Sequence, residues 1–399
     1  MNDKLIKVIE GAIKNSPLYY REFQRYTDIR DFYSNFKLNK NDVINNMYDI
    51  ISKKYDGNLY KSMQVNTTSG TAGTPVKILW EPNDLMRSNM CVWRYRKKFH
   101  DISPNDCYCS LHNMSYLGAR TNKLEKVIIT NNQISFCKFF QDETTMFEYY
   151  NIILKYKPKW LLFQPSFALR FVDFCKQFHL PPVSTIKYIE FTGEMLTDSA
   201  RQQIISYFNC SSANMYGCME TNTIAYECPC GTLHVLEDNV AIKVDADKNV
   251  YLTSLHNRFF PLINYVVGDK IEGINHTVCP CGLSGLSITS IMGRATKQIT
   301  LKNGKILNES IITYCIERTE AIVGIGLKKY HAVYQDENLV IEVICSNKNG
   351  KWLSAFIEEA LNQFSILCDF DNVSFDFVEE LNTKYSDDFM SKYSVLEVL

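Results

Sequence analysis

The sequence lacks the features of a membrane protein or a nucleic-acid-binding protein. It has no uncharged apolar run of the roughly 18 residues that a membrane-spanning helix needs. Its 43 basic and 44 acidic residues leave a net charge of −1. This balance gives no electrostatic reason to expect nucleic acid or an anionic membrane as a partner. No internal repeat or low-complexity tract is present, and these absences favour a globular protein.

The N-terminal segment also lacks the apolar core and the small-residue cleavage site of a secretory signal peptide. Its pattern is typical of an amphipathic helix that ends before Pro17. We therefore expect a cytoplasmic protein. In that compartment the 14 cysteines would be reduced thiols or metal ligands, and not disulfides.

Length and periodicity predict two domains of α/β character. A chain of 399 residues exceeds one ordinary domain. Predicted helices at 83–98, 144–156 and 198–208 alternate with short apolar runs, which favours a sheet with its chemistry in the loops at strand ends. The chain is β-rich from Val240 to Thr289, and a mixed pattern of helices and strands follows. We predict a large N-terminal domain (1–293) of β-sheets flanked by helices, and a small mobile α+β C-terminal domain (294–399).

Glycine is scarce, with only 17 in the chain, yet two glycines fall in one hydroxyl-rich stretch. That stretch contains Thr68, Ser69, Gly70, Thr71, Gly73 and Thr74. Its backbone N–H groups and short hydroxyls suit a polyphosphate, and a Thr/Gly-rich turn between two strands is the alternative. It is not a Walker loop, because Thr74 and Pro75 follow Gly73 where that motif needs Lys-Ser/Thr.

Two near-identical cysteine turns form the other sharp local signal. Cys228-Pro-Cys230-Gly and Cys279-Pro-Cys281-Gly together supply four thiolates, which matches a tetrahedral structural zinc site. His234 lies close to the first turn and could replace Cys228 or Cys230. The alternative is four buried cysteines that act as small hydrophobic residues, which is also our interpretation of Cys107 and Cys109.

Four further motifs follow the hydroxyl-rich stretch TSGTAGTP (68–75). They are FTGEML (191–196), MYGCMET (215–221), LINYVVGDK (262–270) and IMGRATKQI (291–299). In this order, the five resemble the motifs of the adenylate-forming enzymes, the acyl-CoA synthetase superfamily. NSPLYYREF, FQPSFALRF, YECPCGTLHVLEDN and CPCGLSGL also look like segments of phenylacetate–CoA ligase and its relatives, which the chain resembles most closely within that superfamily.

The resemblance implies roles for individual residues. The stretch from Thr68 to Thr74 would bind phosphates, and Thr68 would also act in catalysis. Glu220 would hold magnesium. Further nucleotide-site residues would be Gly193, Glu194, Tyr216 (beside the adenine), Gly217, Asp269 (on the ribose) and Arg294. Lys297 would lie at a hinge, and a catalytic lysine on the small domain would be Lys392, with Lys384 as the alternative.

The implied function is ATP-dependent activation of a carboxylic acid to an acyl-adenylate, followed by transfer to CoA. The cofactors would be ATP, Mg²⁺, Zn²⁺ and CoA, the partners would be small molecules without nucleic acid or membrane, and a homodimer is left open. The aromatic content of 13% and residues 131–140, where relatives line the acyl pocket, favour an aryl or apolar acid.

Two alternatives remain. The acyl group could pass to an amine or to a carrier-protein thiol. The chain could also be a catalytically inactive zinc-binding relative, because it departs from the family pattern at Asn264, Val267, Thr296 and Lys297.

Overall fold

The computed structural model describes most of the chain. The described residues are 1–55, 62–67, 76–112, 125–138, 140–194, 196, 198–294, 298–304, 306–308, 312, 315–316, 319, 322–323, 327–345, 349–379 and 396–398. Its helices are α1 Asp3–Asn15, α2 Pro17–Phe23, α3 Ile29–Asn35, α4 Lys40–Asn45, α5 Met47–Ile50, α6 Pro82–His100, α7 Glu143–Tyr156, α8 Pro165–Gln177, α9 Asp198–Phe208 and α10 Gly350–Cys368.

The strands fall into a larger and a smaller group along the chain. The first group is β1 Gln64–Thr67, β2 Lys77–Trp80, β3 Tyr108–His112, β4 Val127–Ile129, β5 Gln133–Cys137, β6 Trp160–Phe163, β7 Tyr188–Thr192, β8 Ser211–Cys218, β9 Asn222–Glu227, β10 Leu233–Val235, β11 Val240–Val244, β12 Asn249–Ser254, β13 Tyr265–Ile271, β14 Ile274–Val278, β15 Ser284–Ile288 and β16 Ile291–Arg294. The second group is β17 Gln298–Thr300, β18 Ile306–Asn308, β19 Leu327–Gln335, β20 Asn338–Cys345, β21 Val373–Phe377 and β22 Leu396–Val398.

The largest sheet has ten strands in the order β14-β15-β10-β9-β8-β7-β6-β3-β5-β4. Its centre is parallel, because β3 pairs in parallel with both β5 and β6, and β6, β7 and β8 continue in the same direction. Helices α7, α8 and α9 connect β5, β6, β7 and β8 in turn. This alternation confirms the predicted α/β fold class, in which loops at the carboxyl ends of strands supply the chemistry.

A second sheet and an N-terminal group of helices flank this region. The second sheet has the order β11-β12-β13-β16. Helices α1 to α5 pack their apolar faces on a core that includes Phe259, Phe260 and Ile263. The fully buried Tyr19 donates a hydrogen bond from its hydroxyl to the carbonyl oxygen of Pro261 at 2.7 Å. The N-terminal helices are therefore anchored to the segment between β12 and β13.

The C-terminal part of the chain has a hydrophobic core of its own. Helix α10 packs Phe356, Ala360 and Phe364 against Ile341 and Val343 of β20. The sheet beneath it has the order β21-β20-β19-β22. This helix-on-sheet arrangement agrees with the α+β character expected there, and the domain boundary near residue 293 stays a prediction.

A buried ion pair connects α6 to the centre of the large sheet. The Nε and Nη2 atoms of Arg96 donate to the two carboxylate oxygens of Glu190 at 2.8 and 2.5 Å. The Tyr188 hydroxyl donates to Glu190 at 3.0 Å, and the Arg96 guanidinium lies over the ring of Trp160. Buried charges persist only when they are paired and hydrogen-bonded. This network therefore fixes α6 on the sheet face formed by β6 and β7.

His100, at the end of α6, gives the protein a pH-dependent stability. Its ring stacks on Tyr188 at 3.9 Å, and burial lowers the pKa of His100 to about 4. Between pH 6.5 and 4 the unfolded chain binds a proton that the folded chain excludes, so the free energy of unfolding falls as the pH falls. After a discount for partial exposure, the His100 contribution is about 2 kcal/mol.

Urea titrations at pH 7 and at pH 4.5 test this contribution. Between the two pH values, the free energy of unfolding should fall less in His100→Phe than in the wild type, whereas the control His276→Phe, at an exposed position, should lose as much as the wild type. An equal loss in the wild type and His100→Phe would contradict this assignment.

Candidate active site and metal centre

Two residues predicted for the nucleotide site, Tyr216 and Asp269, meet between the two sheets, and a third, Glu220, contacts the same strand as Asp269. Tyr216 lies at the end of β8, Glu220 in the turn that follows, and Asp269 on β13. The Tyr216 hydroxyl donates to the Asp269 carboxylate at 2.8 Å. Two residues that are 53 positions apart in the sequence thus form one side of a common site.

Tyr265 adds a contact that the sequence did not predict. Its hydroxyl donates to Oε1 of Glu220 at 3.2 Å, and Glu220 is 8% exposed. Tyr265 and Asp269 both lie on strand β13, so this strand supplies one residue to each tyrosine–carboxylate pair. The two carboxylates, each held by a tyrosine hydroxyl, are of the type that binds ribose hydroxyls or a hard cation.

Gly217 is required by the geometry of the hairpin. An added Cβ would lie 2.8 Å from the backbone oxygen of Asn222. The pairing of β8 with β9 is irregular between Tyr216 and Gly217, and Asn222 has a positive φ of 61°. The tight turn that follows places Glu220 close to Tyr216.

Glu194 caps a helix in this structure. Its carboxylate accepts a hydrogen bond from the Ser166 N–H and another from the Ser166 hydroxyl, each at 3.0 Å. Ser166 lies in the first turn of α8, where backbone N–H groups are unpaired and a negative charge is favoured. Gly193 has a φ of +81°, and an added Cβ would lie 3.3 Å from the Gln164 side chain. The two segments FTGEML and FQPSFALRF are therefore adjacent, and a nucleotide role for Gly193 and Glu194 stays a prediction.

The Ser166–Glu194 pair gives a testable stability effect. Ser166→Ala removes the hydroxyl bond to the carboxylate, and we expect the free energy of unfolding to fall by about 1 kcal/mol. The control is Ser206→Ala, on the exposed surface of α9, which should change it by less than about 0.5 kcal/mol. Urea denaturation monitored by circular dichroism measures both. Equal effects of the two substitutions would contradict the capping role.

Several predicted site residues lie outside the described residues. They are Thr68, Ser69, Gly70, Thr71, Gly73, Thr74, Lys297, Lys384 and Lys392. Strands β1 and β2, on either side of residues 68–75, pair antiparallel with Thr67 opposite Lys77. The hydroxyl-rich stretch therefore joins two paired strands, a position compatible with both the phosphate-loop and the turn interpretations. The backbone of Arg294 on β16 pairs with that of Asp269.

Asn264, one departure from the family pattern, has a structural role. Its side chain is buried, and Nδ2 donates to the backbone oxygens of Tyr33 at 2.6 Å and Phe36 at 3.1 Å. Asn264 has a φ of 49°, a conformation that Asn adopts more readily than most residues. It therefore attaches the N-terminal helices to the start of β13.

The two Cys-Pro-Cys-Gly turns adopt matching conformations. In the first, the Gly231 N–H donates to the Cys228 oxygen at 2.9 Å, and in the second the Gly282 N–H donates to the Cys279 oxygen at 3.0 Å. Both glycines have positive φ values, 79° and 83°. The paired strands β10 and β15 bring the turns together, so chain topology joins two motifs that are distant in the sequence.

Four side chains of this region could bind one metal ion. The ligand atoms of Cys228, His234, Cys279 and Cys281 all lie within 4.8 Å of one another. The Cys228 and Cys279 sulfurs are 3.7 Å apart, and the Cys281 sulfur is 3.4 Å from Nε2 of His234. Sulfurs about 2.3 Å from a tetrahedral zinc lie about 3.8 Å apart, so these residues fit that ion. The group contains His234 in place of the exposed Cys230, which is the alternative that the sequence left open.

The thiols in this group differ in acidity. Hydrogen bonding with the Thr232 hydroxyl and with the Cys281 backbone lowers the pKa of Cys279 to about 6. Burial raises the pKa of Cys281 to about 11.

Cys109, which was predicted to be a core residue, is fully buried beside Ile134 and Phe136.

Comparison with known proteins identifies the fold. The crystal structure of a 2-hydroxyisobutyryl-CoA ligase in complex with 2-HIB-AMP and CoA superposes with a TM-score of 0.63 and 15% identity, covering 99% of this chain and 88% of that one. An open conformation of the same ligase gives a TM-score of 0.59 and 16% identity, covering 98% and 90%. The chain has the adenylate-forming ligase fold.

Comparison by sequence matches far fewer proteins than comparison by structure. No protein-family model matches the chain. The curated relative "Protein CapK" of Staphylococcus aureus is 22% identical over 320 residues. The match covers 77% of this chain and spans only 61% of the relative's length. Among the described residues, no helix of this adenylate-forming ligase fold is long and apolar enough to cross a membrane.

Proposed function

We propose that the chain is an AMP-forming ligase, similar to phenylacetate–CoA ligase, that converts a carboxylic acid to an acyl-adenylate and then to an acyl-CoA. The observation that carries this proposal is the junction of the Tyr216–Asp269 and Tyr265–Glu220 pairs within an adenylate-forming fold. Each pair combines a motif residue with a partner from the other sheet.

Asp269 and Tyr216 would bind the nucleoside. A carboxylate can accept hydrogen bonds from two neighbouring ribose hydroxyls at once. The Tyr216 hydroxyl holds one carboxylate oxygen at 2.8 Å and so orients the group. The backbone pairing of Arg294 with Asp269 supports a position for Arg294 near the same nucleotide.

Glu220 and the hydroxyl-rich stretch would act on the phosphates. Magnesium held by Glu220 would neutralise charge on the phosphate oxygens. Thr68, Ser69 and the backbone N–H groups up to Thr74 would donate to the phosphates. We assign the cation at the α-phosphate to Lys392, with Lys384 as the alternative, because Lys392 better resembles the C-terminal lysine motif of the superfamily.

These groups serve two successive bond exchanges. A carboxylate oxygen of the acid attacks the α-phosphorus, and the bond to pyrophosphate breaks. The thiol sulfur of CoA then attacks the acyl carbon, loses its proton, and displaces AMP. The residues named here position the reactants and stabilise charge on phosphate, which suits a reaction limited by orientation and charge.

The described residues near the predicted acyl pocket guide the choice of acids. On β5, Ile134 and Phe136 pack into the core. On the opposite face of β5, the Ser135 hydroxyl and Nδ1 of His112 share a hydrogen bond of 3.0 Å. On the same face, Nε2 of Gln133 donates to the Ser110 hydroxyl at 2.8 Å. An aryl or apolar acid remains our proposal. The polar face means that hydroxy acids belong in the same test panel.

We also propose that Cys228, His234, Cys279 and Cys281 hold a structural zinc ion. Three thiols and an imidazole leave no open coordination position, so the ion would cross-link two turns and take no part in the chemistry. The contact distances between these side chains support this assignment.

Product analysis tests the proposed function. The protein is incubated with MgATP and each acid, with and without CoA, and AMP and acyl-CoA are measured by mass spectrometry. The proposal expects one acid class to give AMP and acyl-CoA in equal amounts when CoA is present. If AMP release does not respond to CoA but increases with an amine or a carrier-protein thiol, the acceptor is that amine or thiol and not CoA.

A further inference from the structure

The turn that contains Glu220 is supported from its buried side. Met219 and Glu220 join β8 to β9, and Met219 is 46% exposed. Thr221, next in the chain, is fully buried. The position of the Glu220 carboxylate therefore depends on what holds the backbone of Thr221 and its neighbours.

Asn239 makes that contact. Its side chain is fully buried, and Nδ2 donates to the backbone oxygens of Thr221 at 3.0 Å and Thr223 at 2.6 Å. These carbonyls lie on either side of Asn222, whose φ is positive. Because a carbonyl oxygen can only accept, the amide nitrogen must face both of them. Asn239 thus fixes the conformation of the backbone immediately after Glu220.

Ser88 on α6 completes the arrangement. Its hydroxyl donates to Oδ1 of Asn239 at 2.7 Å and accepts from Nδ2 of Asn222 at 2.8 Å. Ser88 is also fully buried. Every polar atom of the Asn239 side chain is therefore used, and helix α6 is connected to the Glu220 turn through two side chains.

We propose that Asn239, supported by Ser88, is a positioning residue for Glu220, an inference that rests on the proposed function. The Asn239 amide touches neither nucleotide nor metal. It holds the turn so that the Glu220 carboxylate meets Tyr265 and a cation without further rearrangement. A loosely held ligand must be ordered when the cation binds, which weakens binding. The deficit should therefore appear in the metal requirement and leave the affinity for the acid unchanged.

The test measures the Mg²⁺ concentration that half-saturates ATP–pyrophosphate exchange. Asn239→Ala should raise this concentration at least tenfold (order of magnitude), with the KM for the acid changed less than twofold. Asn239→Asp should raise it as much or more, because its oxygens would face the two carbonyls. Ser88→Ala, a milder change that should fold if Asn239→Ala does not, should raise it about threefold.

The control is Asn257→Ala. Asn257 is also a buried asparagine, and its amide bonds to the oxygen of Leu79 and the N–H of Phe260. It should lower the melting temperature without changing the Mg²⁺ requirement. Unchanged Mg²⁺ dependence in a folded Asn239→Ala or Ser88→Ala protein would overturn the inference.

A measurement without ligands separates this inference from the proposed function. Amide hydrogen exchange at residues 219–222 should be about tenfold faster in Asn239→Ala than in Asn257→Ala. Wild-type protein that shows no ATP–pyrophosphate exchange would refute the proposed function and, with it, the role of Asn239 in metal binding. Unchanged hydrogen exchange in the turn would overturn the positioning role, whatever the activity.

Discussion

Chelation of the ion proposed at Cys228, His234, Cys279 and Cys281 is expected to lower the melting temperature by roughly 20 °C or more. A structural zinc site contributes about 10 kcal/mol or more, because the ligands come together only in the folded chain. Here Cys228 and Cys279 are 51 positions apart and belong to turns joined through β10 and β15. Without the ion, the side chains that join the two turns are neighbouring thiols, the His234 imidazole and the Thr232 hydroxyl, which lies 3.5 Å from the Cys279 sulfur.

The measurement pairs metal analysis with thermal unfolding. Protein purified under reducing conditions should contain one zinc per chain. The Cys279→Ser variant should contain no zinc and should have a melting temperature as low as that of the chelated wild type. Cys107→Ser, a partly buried cysteine outside the cluster, serves as the control and should retain both. Cys230→Ser separates the two ligand sets, because full zinc content in that variant favours His234 as the fourth ligand. Metal-free wild-type protein with the same melting temperature would refute the zinc proposal.

Asp269→Ala is expected to reduce kcat/KM for ATP in the adenylation step by a factor on the order of a hundred to a thousand. If Asp269 binds the ribose as proposed, the substitution removes two charge-assisted hydrogen bonds, each worth about 1.5–3 kcal/mol. It also leaves the Tyr216 hydroxyl without the carboxylate that it contacts at 2.8 Å. Most of the loss should appear as a higher KM for ATP, because the ribose is bound in the ground state as well as in the transition state.

The chain offers a matched control for this prediction. Asp245 accepts a hydrogen bond from the Tyr251 hydroxyl at 2.7 Å, which reproduces the Asp269–Tyr216 pair beside the same second sheet. Asp245→Ala therefore removes the same type of contact at a position away from the predicted motifs. It should leave kcat/KM for ATP within twofold. Similar losses in both variants would indicate a general effect on the sheet and would contradict the ribose role of Asp269.

The order of helices and strands in the large domain was predictable from the sequence because the periodicity there is strong. The helices predicted at 83–98 and 144–156 are observed as α6 and α7. The apolar run at 126–136, between two of the predicted helices, forms a hairpin of β4 and β5 and not a single strand. Polar residues Thr130 to Asn132 make the turn. A short polar interruption within an apolar run is a weak signal unless a glycine or proline accompanies it.

The site residues were predictable to the extent that short motifs carry them. Tyr216, Glu220 and Asp269 lie in such motifs; the contact between Tyr216 and Asp269 is observed, and their nucleotide roles stay a prediction. Tyr265, Asn239 and Ser166 also lie in quoted segments, but no role was predicted for them, because their partners come from distant parts of the chain. His234 was named only as an alternative ligand. Its place in the Cys228, Cys279 and Cys281 group depends on the pairing of β10 with β15, which is a tertiary contact.

The central claim is that this protein forms an acyl-adenylate, and ATP–pyrophosphate exchange tests it most directly. The wild-type protein is incubated with ATP, Mg²⁺ and labelled pyrophosphate, and a panel of aryl, aliphatic and hydroxy acids is added one at a time. At ATP concentrations well below the wild-type KM, we expect label in ATP that depends on one class of acid and that falls at least a hundredfold (order of magnitude) in Asp269→Ala but not in Asp245→Ala. Folded, zinc-replete wild-type protein that shows no acid-dependent exchange across the panel would contradict it.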